Sequence, residues 1–194
     1  MKKVKLTRKT KETDIILSLN LDGAGRNKIS TGVGFFDHML DLFAFHGCFD
    51  LEIVAKGDLH VCGHHTVEDV GIVLGQALGQ AMPQAKNYMR YATAFVPMDE
   101  SLARAVVDLS GRPCLVFNCP GLNPKVGDFD TELVREFFQA LVNHAQITLH
   151  LELVYGGNTH HKIEALFKAA GVALRQALST DAGRSGVAST KGRL

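Results

Sequence analysis

Residues 36–57 read FDHMLDLFAFHGCFDLEIVAKG, and they align with residues 134–156, VREFFQALVNHAQITLHLELVYG, with one extra residue near the end of the second segment. The alignment places His46 opposite His144 and Leu51 opposite Leu149. An internal repeat indicates one structural unit used twice, which constrains the fold more than a single motif does. We therefore expect two related halves, residues 1–95 and residues 96–194.

Each half also contains the pattern H-H-x-x-E. It reads HHTVE at residues 64–68 and HHKIE at residues 160–164. For this composition a chance match is expected only about 0.02 times, as template counting shows. Three additional residues in the first half bring the two motifs into register. The repeated motif therefore supports the duplication independently of the first alignment.

Hydrophobic periodicity predicts the elements of each half. Apolar residues follow each motif at helical spacing, as Val67, Val70, Leu74 and Leu78 do in the first half, so each half should end in a long amphipathic helix. Shorter helices are predicted at 36–45 and 131–143. Strands are predicted at 15–21, 51–56, 103–108, 115–118 and 148–154. Glycine and proline clusters predict loops at 22–34 and 120–127.

These elements predict an α+β fold that is internally duplicated, with a β-sheet and two helices in each half. No low-complexity linker separates the halves, so we expect them to share one core. A chain of 194 residues can bury a sizeable core without a disulfide or a structural metal. A metal site in this chain would therefore be functional.

Composition narrows the range of partners. The chain has 21 basic and 20 acidic residues and a net charge of +1, which argues against a general nucleic-acid binder and against a polybasic membrane-surface protein. The start, MKKVKLTRKTKETD, lacks the apolar core of a signal peptide, and no apolar run is long enough to span a bilayer. The four cysteines form no C-x-x-C pair and are expected to be reduced thiols. We expect a cytoplasmic protein that acts on a small molecule.

The repeated motif has the spacing of metal ligands. Helix positions i, i+3 and i+4 share a face, so either histidine of each pair can stand beside Glu68 or Glu164. Imidazole and carboxylate ligands admit zinc, iron or manganese, and the spacing does not choose among them. Adjacent histidines diverge, so they would serve different metals or one metal bridged between subunits. The alternative is a helix cap in which the glutamate completes a capping box with Thr66 or Thr159.

Basic residues among small or polar neighbours suit an anion. Arg90, Arg112 and Lys191 could bind phosphate through charge-assisted hydrogen bonds, and Ser189 and Thr190 precede Lys191 directly. The alternative is that the arginines are surface charges and that the C-terminal tail is disordered.

The sequence resembles the imidazoleglycerol-phosphate dehydratase family along nearly its whole length. The matching segments are KET (11–13), TGVGFFDHM (31–39), GDLHVCGHHTVEDVGI (57–72), PMDE (97–100), DLSGRP (108–113), FDTEL (129–133), GGNTHHKIEALFKA (156–169) and STKG (189–192). The resemblance implies a ribosomal-protein-S5-domain-2-like fold with helices packed between two sheets. It also implies a homo-oligomer of 24 chains with two Mn²⁺ ions per subunit, other divalent metals being possible, in sites completed across subunit interfaces.

The resemblance assigns roles to individual residues. The implied metal ligands are His38, His64, His65, Glu68, His160, His161 and Glu164. Glu136 is a further candidate ligand, because members of the family often have a histidine there, opposite His38. A second departure is Cys62, where an aspartate is common. The implied substrate contacts are Glu12, His46, Arg90, Arg112, Lys168, Ser189, Thr190 and Lys191, the last three in a C-terminal substrate-binding tail.

The reaction implied by the resemblance is dehydration of imidazole glycerol phosphate to imidazole acetol phosphate in histidine biosynthesis. The proton to be removed is not adjacent to a carbonyl, so the ring itself must store the electrons. Our hypothesis is a metal-bound imidazolate that expels the neighbouring hydroxyl and passes through a diazafulvene-like intermediate. The candidate catalytic residues are Glu12, His46, Glu68 and Glu164, with Glu12 as the acid/base group unless it is a surface residue.

Two other interpretations use the same ligands. A dinuclear metallohydrolase would generate metal-bound hydroxide. A non-enzymatic protein would use the histidine clusters as structural staples between subunits, because metal sites shared between chains couple binding to assembly.

Overall fold

The computed structural model describes residues 3–82, 87–183 and 188–190. Over these residues the elements are β1 (Val4–Lys9), β2 (Thr13–Asn20), β3 (Asn27–Ser30), α1 (Gly34–Gly47), β4 (Asp50–Gly57), α2 (His64–Ala81), β5 (Tyr91–Met98), β6 (Ser101–Asp108), β7 (Cys114–Asn118), β8 (Lys125–Val126), β9 (Phe129–Asp130), α3 (Leu133–Ala145), β10 (Thr148–Tyr155) and α4 (Thr159–Leu178). None of the described helices is long and apolar enough to cross a membrane.

The two large sheets have the same topology. The first has the order β1-β2-β4-β3 and the second the order β5-β6-β10-β7. In each sheet the last pair is parallel, β3 with β4 and β7 with β10, whereas the other pairs are antiparallel. The duplicated α+β fold predicted from the sequence is confirmed. The short β8–β9 hairpin belongs to the second half, and no counterpart of it is described in the first.

The helices lie between the two sheets and pair across the halves. Helix α2 packs on the first sheet and on α3, while α4 packs on the second sheet and on α1. The rings of Phe36 on α1 and Phe137 on α3 meet edge to face with centroids 5.3 Å apart. Both rings are fully buried, so the two halves share one core.

Glycines allow the paired helices to approach closely. A Cβ atom at Gly75 of α2 would lie 2.5 Å from the carbonyl oxygen of Leu141, and one at Gly171 of α4 would lie 2.5 Å from that of Phe43. Gly75 and Gly171 occupy the same position after the two H-H-x-x-E motifs. The duplication therefore preserves a backbone contact between helices as well as the ligand pattern.

The loop predictions were wrong in part. Residues 22–34 contain β3 and residues 120–127 contain β8, while β1, β5 and β9 were not predicted. Strand β3 is a short edge strand whose residues are exposed except for the half-buried Ile29, so its sequence has no alternating apolar pattern. Strand β5 contains Pro97, and because proline cannot donate a hydrogen bond to a neighbouring strand, its presence argues against a strand in the sequence. The expected division between residues 95 and 96 falls within β5.

Candidate active site

A cluster of two histidines and a glutamate lies where α1 meets α4. The Nε2 atom of His160 is 3.3 Å from Oε2 of Glu164, and Nε2 of His38 is 3.6 Å from the same oxygen. All three ligand atoms lie within 4.8 Å of one another. Adjacent ligands of one cation lie about 3 Å apart when their bonds to it are about 2.1 Å long. The cluster therefore fits a divalent cation with only small adjustments.

Glu164 is held in an ionised state. Its Oε1 atom lies 2.5 Å from Nζ of Lys168, which leaves Oε2 directed at the two histidines. Burial opposes ionisation of this carboxyl, but Lys168 together with His38 and His160 outweighs it, so the pKa of Glu164 falls below its usual value. Lys168, a predicted substrate contact, binds Glu164 in this structure and also approaches the sulfur of Met98 at 3.4 Å.

The first motif is arranged more openly. Nε2 of His64 is 3.8 Å from Oε2 of Glu68, and both side chains are almost half exposed. Glu136 lies on α3, the helix that packs against α2, and its carboxylate is 3.8 Å from Arg135. Among the described residues, only the cluster at Glu164 brings three ligand atoms within metal-binding distance. The structure therefore brings together the candidate ligands around Glu164, but it does not form an equivalent three-residue cluster around Glu68.

The second histidine of each motif turns away from the first. The two rings of each pair are nearly perpendicular, at 84° in the first motif and 80° in the second. Nδ1 of His65 lies 3.0 Å from Asp58, and Nδ1 of His161 lies 2.8 Å from Glu100. These hydrogen bonds raise the pKa of both histidines above the usual value. They also leave Nε2 of each ring as the nitrogen available for another ligand.

Glu12 and His46 lie near the two motifs. Glu12 is in the turn between β1 and β2, and its carboxylate is 4.0 Å from Nε2 of His65. His46 is in the last turn of α1. Burial, followed by the charge of Lys168, lowers the pKa of His46 and favours its neutral ring.

The capping-box interpretation is wrong. Helix α4 is capped by Asn158, whose side chain accepts hydrogen bonds from the backbone N–H groups of His160 and His161. Helix α2 follows Gly63, which has no side chain to offer. The hydroxyl of Thr66 has no hydrogen-bond partner within the described part of the chain. Neither Glu68 nor Glu164 is therefore used to cap its helix.

The two predicted arginines converge on one carboxylate. Nε of Arg90 is 2.8 Å from Asp108, and Nη2 of Arg112 is 3.9 Å from it. Nη1 of Arg90 also donates to the carbonyl oxygen of Ala188 at 2.5 Å, which brings the adjoining Ser189 and Thr190 to the same place. Lys191 lies outside the described residues. The structure thus brings both arginines and part of the tail together.

Four site residues were not assigned roles from the sequence: Asp58, Glu100, Asp108 and Asn158. Each lies within a matching segment, in GDLHVCGHH, PMDE, DLSGRP and GGNTHH respectively. The segments could have directed attention to them, but no spacing rule pairs Glu100 with a histidine 61 residues away.

The duplicated fold, its histidine–carboxylate cluster and two arginines that meet at one carboxylate are the arrangement expected of a metal-dependent enzyme with an anionic small-molecule substrate. The family model for imidazoleglycerol-phosphate dehydratase matches residues 31–174. The chain belongs to this family, whose members are lyases that carry out a dehydration in histidine biosynthesis.

Full-length relatives agree with the family match. An imidazoleglycerol-phosphate dehydratase of Acetivibrio thermocellus is 58% identical over 193 residues, covering 100% of this chain and 99% of the relative. That of Streptococcus mutans is 58% identical over 194 residues, covering 100% of both. The crystal structure of the Staphylococcus aureus enzyme matches with a TM-score of 0.85 at 48% identity, over 93% of this chain and 100% of that one. The Pyrococcus furiosus structure matches with a TM-score of 0.84 at 37% identity, over 97% and 100%.

Proposed function

We propose that this enzyme converts imidazole glycerol phosphate to imidazole acetol phosphate by a mechanism that uses two divalent cations per subunit, with Mn²⁺ as the metal. The observation that carries the proposal is the cluster of His38, His160 and Glu164, whose three ligand atoms already converge. Nitrogen and oxygen ligands of this kind suit manganese among other metals. The second ion would be held by His64 and Glu68, with Glu136 supplied by α3.

The cations would supply one chemical function, the stabilisation of the substrate ring as an imidazolate, which can expel the neighbouring hydroxyl through a diazafulvene-like intermediate. The remaining steps belong to side chains of this chain. The hydroxyl would leave as water together with the proton lost from the ring nitrogen. Glu12 then removes the proton from the carbon that bears the second hydroxyl, the ring nitrogen regains a proton, and the resulting enol tautomerises to the ketone. The balance is the loss of one water molecule.

The phosphate end of the substrate would be bound at Arg90 and Arg112. In the structure both guanidinium groups contact Asp108, so each is paired and both are positioned side by side. A phosphate dianion could then bind to both. Arg90 donates a hydrogen bond to the carbonyl oxygen of Ala188, the residue directly before Ser189 and Thr190. Lys191 follows these residues in the sequence. We propose that this tail closes over the phosphate.

A second copy of the chain would complete the site. The side chains of His38, His64, Glu68 and Glu12 are each at least 43% exposed, whereas ligand sites usually enclose most of a small substrate. The second histidine of each motif directs Nε2 away from the first, so it can reach a cation held by another subunit. An assembly of 24 chains and a cytoplasmic location remain predictions.

The test is incubation of the purified, Mn²⁺-loaded protein with imidazole glycerol phosphate. The proposal predicts a ketone product with the phosphate ester intact, and no product after metal removal by a chelator. Release of inorganic phosphate would instead indicate the metallohydrolase. Dissociation of the oligomer by the chelator, together with no turnover by the loaded protein, would indicate structural staples.

A further inference from the structure

The second histidine of each motif has a carboxylate partner, but the two carboxylates come from different places in the fold. Asp58 directly follows β4, and its two oxygens lie 3.0 and 3.2 Å from Nδ1 of His65. Glu100 lies in the turn between β5 and β6, with Oε2 2.8 Å from Nδ1 of His161. The same contact is therefore made by residues that the duplication does not relate.

The duplication identifies the counterpart of each carboxylate. The identical strand order relates the β1–β2 turn to the β5–β6 turn, which places Glu12 opposite Glu100. It also relates the residue after Gly57 to the residue after Gly156. Both glycines sit against the second strand and the start of the second helix of their half, Gly57 on Thr13 and Thr66, and Gly156 on Ser101 and Lys162. Asp58 therefore stands opposite Gly157.

The partner of the histidine has thus changed between the halves. In the second half Gly157 has no side chain, and the turn residue Glu100 reaches the ring. In the first half Asp58 reaches the ring, and the carboxylate of Glu12 stands 4.0 Å from the other nitrogen, Nε2, with its side chain 55% exposed. The backbone carbonyl of Glu12 accepts from the N–H of Asp58 at 3.1 Å, so the two residues are adjacent.

We propose that Asp58 and Glu100 are positioning residues that hold His65 and His161 with a proton on Nδ1 and Nε2 directed at a cation, and that Asp58 thereby leaves Glu12 available for the substrate. The inference rests on the proposed function, because it assumes that both histidines bind a metal. A carboxylate hydrogen-bonded to the second ring nitrogen fixes the tautomer and orientation of a metal-binding histidine.

Glu100 is itself fixed before any metal binds. Its Oε1 atom accepts from the backbone N–H groups of Gly157 at 3.1 Å and Asn158 at 2.7 Å, and from the hydroxyl of Ser101 at 3.1 Å. Oε2 is left for His161. Four contacts on one carboxylate give it one orientation, so the histidine it holds also has one orientation.

The first experiment measures Mn²⁺ affinity by competition with a chelator. Glu100→Ala should weaken binding by about 10- to 100-fold, the usual effect of removing such a partner. Asp58→Ala should weaken binding less, because Glu12 can then take the place of Asp58 beside His65. Glu100→Gln, which retains a carbonyl acceptor, should fall between Glu100→Ala and the unmodified protein. The matched control is Glu152→Ala, which removes a carboxylate of the same charge from the second half, one that pairs with Arg104 rather than with a histidine. Equal losses in Glu152→Ala and Glu100→Ala would overturn the proposal.

A second measurement does not depend on metal. In metal-free protein with nitrogen-15 in its histidines, at an alkaline pH at which both rings are neutral, His65 and His161 should carry the proton on Nδ1. Glu100→Ala should shift the ring of His161, and Asp58→Ala combined with Glu12→Gln should shift the ring of His65, toward a mixture of tautomers. Unchanged spectra in both variants would contradict the proposal, and a thermal unfolding curve checks that each variant is folded.

The third experiment tests the change of partner. Asp58→Gly makes the first half resemble the second, so Glu12 should then replace Asp58 beside His65. Glu12→Gln should consequently weaken Mn²⁺ binding in the Asp58→Gly background and leave it unchanged in the unmodified protein, a coupling that a double-mutant cycle measures. No coupling would sink the inference while ketone formation still upheld the proposed function. Coupling without ketone formation would support the change of partner and contradict the proposed function.

Discussion

Glu164 and Glu68 hold the same place in the repeated motif but have different surroundings. Glu164 is 6% exposed and bonded to Lys168, whereas the side chain of Glu68 is 46% exposed. The residue that corresponds to Lys168 in the first half is Ile72, which cannot pair with a carboxylate. The two candidate metal sites therefore differ in how firmly the chain itself holds each carboxylate.

Replacement of Glu12 by glutamine tests its role as the acid/base group. Turnover should fall by ~10² to 10⁴, the usual contribution of such a group, while Mn²⁺ content is unchanged. The reason is that the amide keeps the shape of the side chain but cannot take the proton. Steady-state kinetics and metal analysis make the measurement, and Glu52→Gln on the exposed face of β4 is the control. Unchanged turnover would remove Glu12 from the mechanism.

At the residue level the sequence predicted which candidate ligands of one motif lie together, but not the partners that come from distant elements. His160 and Glu164 are four residues apart on one helix, so helical geometry alone places them together. The contacts of His161 with Glu100, and of Arg90 with Asp108, depend on how strands and helices meet. Such contacts between distant residues have no local signal in the sequence.

The helix pairs depend on glycines as much as on apolar side chains. Helix α4 crosses α1 at Gly171, where a Cβ atom would also lie 3.1 Å from the backbone nitrogen of Gly47. Backbone atoms cannot move aside as a flexible side chain can. The close crossing brings His38 of α1 to His160 of α4, so packing between these helices sets the geometry of the candidate metal site.

Gly171→Ala should therefore destabilise the metal-free protein by about 1 to 3 kcal/mol, the usual cost of overpacking. The matched control is Gly34→Ala at the start of α1, where a Cβ atom would meet nothing within 4 Å. Gly34→Ala should be neutral or stabilise by up to about 1 kcal/mol, because alanine restricts the unfolded chain. Denaturant unfolding measures both. Equal stability of the two variants would contradict the close-crossing argument.

The loop between β2 and β3 is held by Asp50 at the start of β4. Its carboxylate is 2.8 Å from the guanidinium of Arg26 and 2.9 Å from the backbone nitrogen of Ala24. The hydrogen bond from Arg26, followed by that from Ala24, holds the pKa of Asp50 well below its usual value. The folded state therefore binds this proton less readily than the unfolded state does.

The pH dependence follows from that difference. Stabilisation by Asp50 should be complete above the ordinary aspartate pKa of about 4 and should be lost as the pH falls below it. Asp50→Asn should consequently be less stable than the unmodified protein at neutral pH, with the difference shrinking as the pH falls below about 4. Denaturant unfolding at several pH values checks this. A difference that does not change with pH would contradict it.

Edge strands mark the limit of prediction at the element level. Strand β1 reads VKLTRK, and only Val4 is buried, so charged residues hide the alternation that would have identified it. Helices α2 and α4, whose buried faces are long and regular, were predicted correctly. Periodicity reveals an element only where one of its faces is continuously buried.

The shared core has a consequence for the domain division. Because α1 pairs with α4 and α2 with α3, neither half can bury its helices alone. We propose that the repeat boundary lies between the end of α2 and the start of β5, rather than between residues 95 and 96, because the second sheet begins at Tyr91. The duplicated topology could be predicted from the sequence, but the pairing of helices across halves could not, since no motif encodes it.

At the level of the whole molecule, the metal cluster and the arginine pair form separate groups. Among the described residues, no hydrogen bond or ion pair joins the group around Glu164 to the group around Glu12 or to Arg90 and Arg112. The second copy of the chain proposed above would bring further parts of the site to a substrate that contacts all of these groups. The exposure of His38, His64, Glu68 and Glu12 is consistent with that proposal.

The most direct test of the proposed mechanism is a crystal structure of the Mn²⁺-loaded protein with an unreactive analogue of imidazole glycerol phosphate, with the metals located by anomalous scattering. We expect two ions per chain, one on His38, His160 and Glu164, with the two nitrogens of the analogue's ring bound to different ions and its phosphate near Arg90 and Arg112. A ring that lies remote from both ions would contradict the mechanism.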